Sequence, residues 1–119
     1  MLKLAAAFLL LAGVALPAAS LRHLTLVDST PREGAVVTDA PKEIRLKFNE
    51  ALDSARRAVS LRGPAGPVAV EPVRTIDSLS FAVGIKGVLS PGRYTVSWIA
   101  GAPAHSSIRG RFAFDVAGR

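Results

Sequence analysis

The chain contains no cysteine. Disulfide staples, thiolate metal ligation and thiol redox chemistry are therefore all excluded, and any folded domain must hold by packing alone. Its one methionine is Met1, so a soft thioether metal site is excluded as well. Histidine occurs twice, as His23 and His105. No glycine-rich phosphate loop opens a helix, and no glycine-flanked nucleophilic serine is present. Ser106 and Ser107 adjoin His105, but neighbours on an extended segment point apart, which argues against a Ser-His-Asp triad. The excess charge is basic, +6 overall, yet no run of Lys or Arg exceeds two residues. No aromatic side chains interleave with them as a base-stacking platform would require, so nucleic acid is not an expected partner.

Long apolar runs are also scarce, with one exception at the start. Met1-Leu2-Lys3 is a short positive segment, Leu4 to Leu16 is apolar, and Pro17-Ala18-Ala19-Ser20 is a small-residue cleavage region. The apolar stretch is too short to span a bilayer comfortably, and without cysteine it cannot be a lipoprotein anchor. Residues 1–20 are thus expected to be a cleaved secretory signal peptide, and residues 21–119 one exported domain of about 100 residues without a transmembrane segment.

What the remaining sequence has in quantity is period-two alternation. Glu43 to Phe48 places Ile44, Leu46 and Phe48 on one face and Glu43, Arg45 and Lys47 on the other. Tyr94, Val96 and Trp98 alternate with Arg93, Thr95 and Ser97 after the turn at Pro91-Gly92. Phe112, Phe114 and Val116 do the same at the end of the chain. Weaker strands are expected at Leu21–Ser29, Arg57–Arg62, Val68–Val73 and Ser78–Val83. Gly63 to Pro67 is expected to be a loop, and so is the stretch from Ile99 to Arg109. No helical period persists for three turns, although Glu50 to Arg57 could form a single turn. About seven short strands with regular turn signals predict an all-β, Ig-like Greek-key β-sandwich. Its core would gather Phe48, Phe81, Trp98, Phe112 and Phe114.

Within such a sandwich the first strand and the segment after Trp98 can lie at one end, where His23 and His105 could converge. Imidazole nitrogen combined with carboxylate oxygen is a ligand set suited to Cu(II). Two exposed histidines with no role are the competing reading.

The sequence also resembles a known family along nearly all of the expected mature chain. His23 to Ala35, Ile44 to Glu50, the Pro91-Gly92-Arg93-Tyr94-Thr95-Val96-Ser97-Trp98 segment and the closing Gly110 to Val116 strand are similar, in order and spacing, to CopC-type periplasmic copper-binding proteins. The resemblance implies the sandwich fold, export to the periplasm, and buffering or delivery of Cu(II) in copper homeostasis or resistance. The domain is then expected to be monomeric and without enzymatic activity, with a membrane copper transporter as a partner.

The family's site residues carry over as follows. His23 falls at the position of the N-terminal histidine, whose α-amine and ring both bind the metal. Cleavage at Ser20 would leave Leu21-Arg22 ahead of it, removing the amine from the histidine. Glu50 matches the glutamate that follows the Phe strand. The family's Asp-x-His motif falls on Ala104 and Ser106, with His105 between them. Alternation would turn a histidine displaced by one residue to the other face, whereas a slip in the segment would bring it back. The expected metal ligands are therefore His23, His105 and Glu50. A metal-free interaction module of the same fold is the alternative. An oxygen-activating enzyme would require a mature chain beginning at His23.

Overall fold

The computed structural model describes residues 23–118. The expected signal peptide at 1–20 lies outside the described residues, as do Leu21 and Arg22. Nine strands follow in order: β1 (Leu26–Thr30), β2 (Val36–Val37), β3 (Glu43–Phe48), β4 (Arg57–Gly63), β5 (Gly66–Val68), β6 (Arg74–Asp77), β7 (Ser80–Gly84), β8 (Gly92–Ala102) and β9 (His105–Val116). They form two sheets, one in the order β1-β3-β7-β6 and the other in the order β2-β9-β8-β4-β5. All pairings are antiparallel except the short contact of β2 with β9. The hairpins β4–β5, β6–β7 and β8–β9 keep chain neighbours side by side, whereas β1 pairs with β3, β3 with β7 and β4 with β8, so the chain crosses repeatedly between the two sheets; this is Greek-key wiring and matches the expected sandwich.

The burial pattern follows the sequence alternation. Along β3, Ile44, Leu46 and Phe48 are buried while Arg45 and Lys47 are exposed. Along β8, Tyr94, Val96, Trp98, Ala100 and Ala102 all face inward. Phe48 links the two sheets. Its ring centroid lies 5.6 Å from that of Phe81 and 5.1 Å from Trp98, the latter edge-on at 76°. Phe112 and Phe114 complete this core, as expected. Trp98 is paired across β8 and β9 with Gly110, and a Cβ on Gly110 would stand 2.5 Å from Trp98 Cζ2. The indole therefore lies over the backbone of β9, and the glycine leaves room for it. Arg57 closes one side of the sandwich: its guanidinium carbon sits 5.9 Å from the Phe81 ring centre and Nη1 donates to Thr75 Oγ1 at 2.6 Å.

Several expectations require correction. The segment from Ile99 to Arg109 is not an open loop. Strand β8 runs on to Ala102 and β9 begins at His105, leaving only Pro103 and Ala104 as a hairpin turn. Gly63 to Pro67 is likewise a tight hairpin, turning at Pro64 and Ala65; Pro67 is accommodated because β5 is an edge strand. The extended piece at Val68–Val73 reduces to β5 and a single bridge from Val70 to Ile85. A separate edge strand, β6, follows it. Glu50 to Arg57 contains no helix; Asp53 forms a turn in which Oδ1 accepts from the Ala55 N–H at 2.9 Å.

Candidate metal site

The site lies at the end of the sandwich where β3 stops. Phe48 is fully buried, and the chain then leaves the sheet at Asn49 and Glu50. Asn49 extends the pairing between β1 and β3 by one further step. Its backbone N–H donates to Thr25 O at 3.1 Å, its Oδ1 accepts from Thr25 N–H at 2.8 Å, and its Nδ2 donates to His23 O at 2.9 Å. Thr25 Oγ1 adds a bond to the same His23 carbonyl at 3.0 Å. A carboxamide carries both a donor and an acceptor, so one side chain satisfies both groups of the incoming strand. The backbone of His23 is thereby tied to the residue immediately before Glu50.

His105 reaches Glu50 from the other sheet. Its Nε2 lies 3.1 Å from both carboxylate oxygens, and both side chains are about three-quarters shielded from solvent. The register explains how. Ala100 pairs with Ile108 and Ala102 with His105. Strand β8 advances two residues over this interval while β9 advances three, so β9 carries a bulge. In unbroken register Ser106 would face Ala102. The extra residue brings His105 there instead, on the inward side shared by Trp98, Ala100 and Ala102. Of the two courses open for His105, strict alternation and a slip, one bulge realises the slip.

Arg56 fixes this hairpin tip. Its guanidinium donates from Nη1 to His105 O at 2.9 Å and from Nη2 to Ala102 O, and its Nε donates to Asp53 Oδ2 at 2.9 Å. The Asp53 N–H donates to Gly101 O at 2.8 Å. Hydrogen bonds from the Ala55 N–H and from Arg56 hold the Asp53 carboxyl below its ordinary range. At Gly101 the close approach is literal, since a Cβ there would meet Arg56 Cζ at 2.9 Å. Two backbone carbonyls at a turn and the Asp53 carboxylate are satisfied by one planar fork, a fixed geometry that lysine's single ammonium does not offer.

Of the three expected ligands, the structure therefore brings two side chains together, His105 and Glu50. It holds the third residue, His23, by its backbone at the same end, with an exposed side chain. Among the described residues no three His, Asp or Glu side chains converge as a ready metal cluster. Asn49, Asp53 and Arg56 were not singled out from the sequence. Glu50 to Arg57 was legible only as a possible single turn, although the three-residue spacing of Asp53 and Arg56 is that of a local ion pair.

Comparison with known proteins places these features. The chain is 28% identical to the protein YobA of Escherichia coli strain K12 over 102 residues, covering 79% of this chain and 78% of that one. Among solved structures it is similar to PcoC, a methionine-rich copper resistance protein from Escherichia coli. The TM-score is 0.72 and the identity 29%, covering 80% of this chain and 99% of PcoC. The fold is shared with CopC from Methylosinus trichosporium OB3b, with a TM-score of 0.71 and 21% identity over 82% of this chain and 96% of that one. The CopC domain model matches residues 26–117, nearly the whole sandwich from β1 to just past β9, and the chain belongs to the CopC domain family.

Proposed function

We propose that this is an exported copper-binding protein that holds Cu(II) at the end of the sandwich where β3 meets the β8–β9 hairpin, and that it buffers the ion or passes it on. The observation that carries this reading is the meeting of His105 Nε2 with both oxygens of Glu50, beside the segment that holds His23. His105 and Glu50 would supply one nitrogen and one oxygen donor, and His23 a second imidazole. Nitrogen with carboxylate oxygen suits Cu(II). The donor set lacks any sulfur, because the only methionine is Met1. PcoC, by contrast, is methionine rich. Export follows from the expected signal peptide at 1–20. In this reading the protein binds and releases an ion rather than converting a substrate, and a membrane copper transporter is the natural recipient.

The ligands are tested by titrating residues 21–119 with Cu(II), following the d–d absorption and the EPR nitrogen hyperfine pattern. One equivalent should bind at micromolar concentration or tighter, with His105→Ala and Glu50→Gln each weakening binding about tenfold or more. Unchanged affinity in both variants would overturn the assignment. Absence of any stoichiometric uptake would instead favour a metal-free interaction module, a reading motivated by Ala104 and Ser106 at the positions where the resemblance places metal ligands. Intact mass of the exported protein reports whether His23 is the first residue and so whether its amine joins the site.

A further inference from the structure

Strand β9 is paired along its full length with β8, but on its other side β2 reaches it only at Asp115 and Val116. The bonds on that side run from Gly34 N–H to Ala113 O, from Asp115 N–H to Ala35 O and from Ala117 N–H to Val37 O. They assign the backbone groups of the odd-numbered residues to the outer edge. Carried back along the strand, the alternation points the N–H and C=O of Arg111 and Arg109 off the sheet. No described strand meets them. Their side chains are exposed on the solvent face, and neither forms an ion pair among the described residues.

Across the open side of the sandwich lies β1, the edge of the other sheet. A cleft of about 600 Å³ separates them, with Leu26, Val27 and Phe112 as its apolar lining and Asp28, Ser29, Arg32 and Glu33 as its polar lining. Val27 sits at the β1 bulge and is 54% exposed. Asp28 at the rim is paired with Arg32 at 3.4 Å. The edge thus offers backbone groups that no described strand pairs, two arginines on the outer face without an ion pair among the described residues, and on the inner side a cleft of mixed lining whose apolar part is Leu26, Val27 and Phe112.

We propose that this edge accepts an added β-strand from a partner protein, in a segment where acidic and apolar residues alternate. Backbone bonds to Arg109 and Arg111 would supply the docking, as in other cases of strand addition. The acidic side chains would stand on the outer face opposite the two arginines, and the apolar ones would enter the cleft between Leu26, Val27 and Phe112. Charge selects the occupant. A second copy adding antiparallel at this edge would set arginine against arginine, which is unfavourable, whereas an acidic strand gains a cross-strand pair at each position. The inference does not depend on copper, although a partner held here would lie on the strand that begins at His105.

The test uses metal-free residues 21–119, labelled with ¹⁵N, and a capped heptapeptide of alternating glutamate and valine. Saturable binding should slow amide exchange at Arg109 and Arg111 by about tenfold or more. The Arg109→Glu/Arg111→Glu double variant should weaken that binding about tenfold. A lysine–valine peptide, and a glutamate–valine peptide N-methylated on the amides facing β9, should not bind. The proposal is overturned if the lysine peptide binds equally well. It is overturned if the peptide shifts Ser60 and Ser97 on the outer face while the Arg109 and Arg111 amides exchange unchanged. It is likewise overturned if sedimentation shows a dimer that excludes the peptide, or if phosphatidylglycerol vesicles protect these amides and the peptide does not.

Discussion

Replacing Arg56 with methionine should be among the most damaging changes outside the aromatic core. The substitution keeps an unbranched stem beside Gly101 and removes the guanidinium that bonds Ala102 O, His105 O and Asp53. A hydrogen bond from a charged donor contributes about 1.5–3 kcal/mol net when shielded, and less when water can replace it. The tip is partly open to solvent, so each carbonyl bond is worth about 1–1.5 kcal/mol, at or below the bottom of that range, and the two together about 2–3 kcal/mol. For a domain of this size each kcal/mol moves Tm by about 4–8 °C, which predicts a fall of about 8–24 °C. Urea unfolding of residues 21–119, followed by the fluorescence of Trp98, measures the loss directly. The hairpin should also fray locally, so amide exchange near His105 should rise more than exchange along β3. A loss below about 0.5 kcal/mol would show that water replaces the guanidinium at both carbonyls, and the clamp would then have no energetic meaning. An intact urea midpoint with faster exchange at the tip alone would confine the clamp to local order.

Other expected outcomes follow from the same geometry. Gly110→Ala forces the Trp98 indole off the backbone of β9 and should cost about 1–3 kcal/mol, with a changed near-ultraviolet circular dichroism spectrum; an unchanged spectrum would mean the ring is not seated there. Phe48→Ala removes the ring that joins Phe81 to Trp98 and should cost about 3–5 kcal/mol, read as a lower urea midpoint at unchanged m-value. Acid should weaken the fold in a defined way. The Arg74 and Arg45 hydrogen bonds hold the Glu43 carboxyl below its ordinary value of 4.5, and Asp53 lies below its ordinary 3.8 for the reasons given above. The unfolded chain therefore binds more protons than the folded one in this range. The contribution is present above the unfolded values and is lost as pH falls through the folded ones. The Glu43→Gln/Asp53→Asn variant should accordingly show a flatter stability curve below about pH 4.5 than the parent, and parallel curves would refute the assignment.

The regular part of the fold was legible because its side chains alternate without interruption. Ile44, Leu46 and Phe48, and then Tyr94, Val96 and Trp98, have one buried face each, and a strand with one buried face has one register. Strand β6 was missed for the opposite reason: Arg74, Thr75, Ile76 and Asp77 are all exposed, so no apolar face marks it. The hairpin at Pro64 and Ala65 was concealed by its prolines, which signal a break equally well in a loop and in a tight turn between edge strands. The residues that build the candidate site were the least legible. Asn49 acts on His23 and Thr25, and Arg56 on Ala102 and His105, in each case across large gaps in the chain. A side chain that satisfies distant carbonyls leaves no local pattern.

The placement of His105 shows why a side chain's place in a site cannot be transferred by counting residues alone. The resemblance put the expected histidine on Ser106, and strict alternation from Phe112 through Gly110 and Ile108 also gives Ser106 the inward face. The sequence has its histidine one residue earlier, which in an unbroken ladder would point outward. One extra residue in β9 between Ile108 and His105 reverses the phase, and the imidazole arrives opposite Ala102 and against Glu50. The bulge needs an anchor, since an irregular ladder at the end of a hairpin would otherwise fray. Arg56 provides it by bonding the carbonyls of Ala102 and His105, the last pair of the hairpin. Ala104, where the resemblance placed an aspartate, lies in the turn itself and is exposed. The bulge thus sets an imidazole at this end of the sandwich, while the turn that follows Ala102 carries no carboxylate. Among the described residues Glu50, placed just past the end of β3 in the other sheet, is the carboxylate that bonds that imidazole.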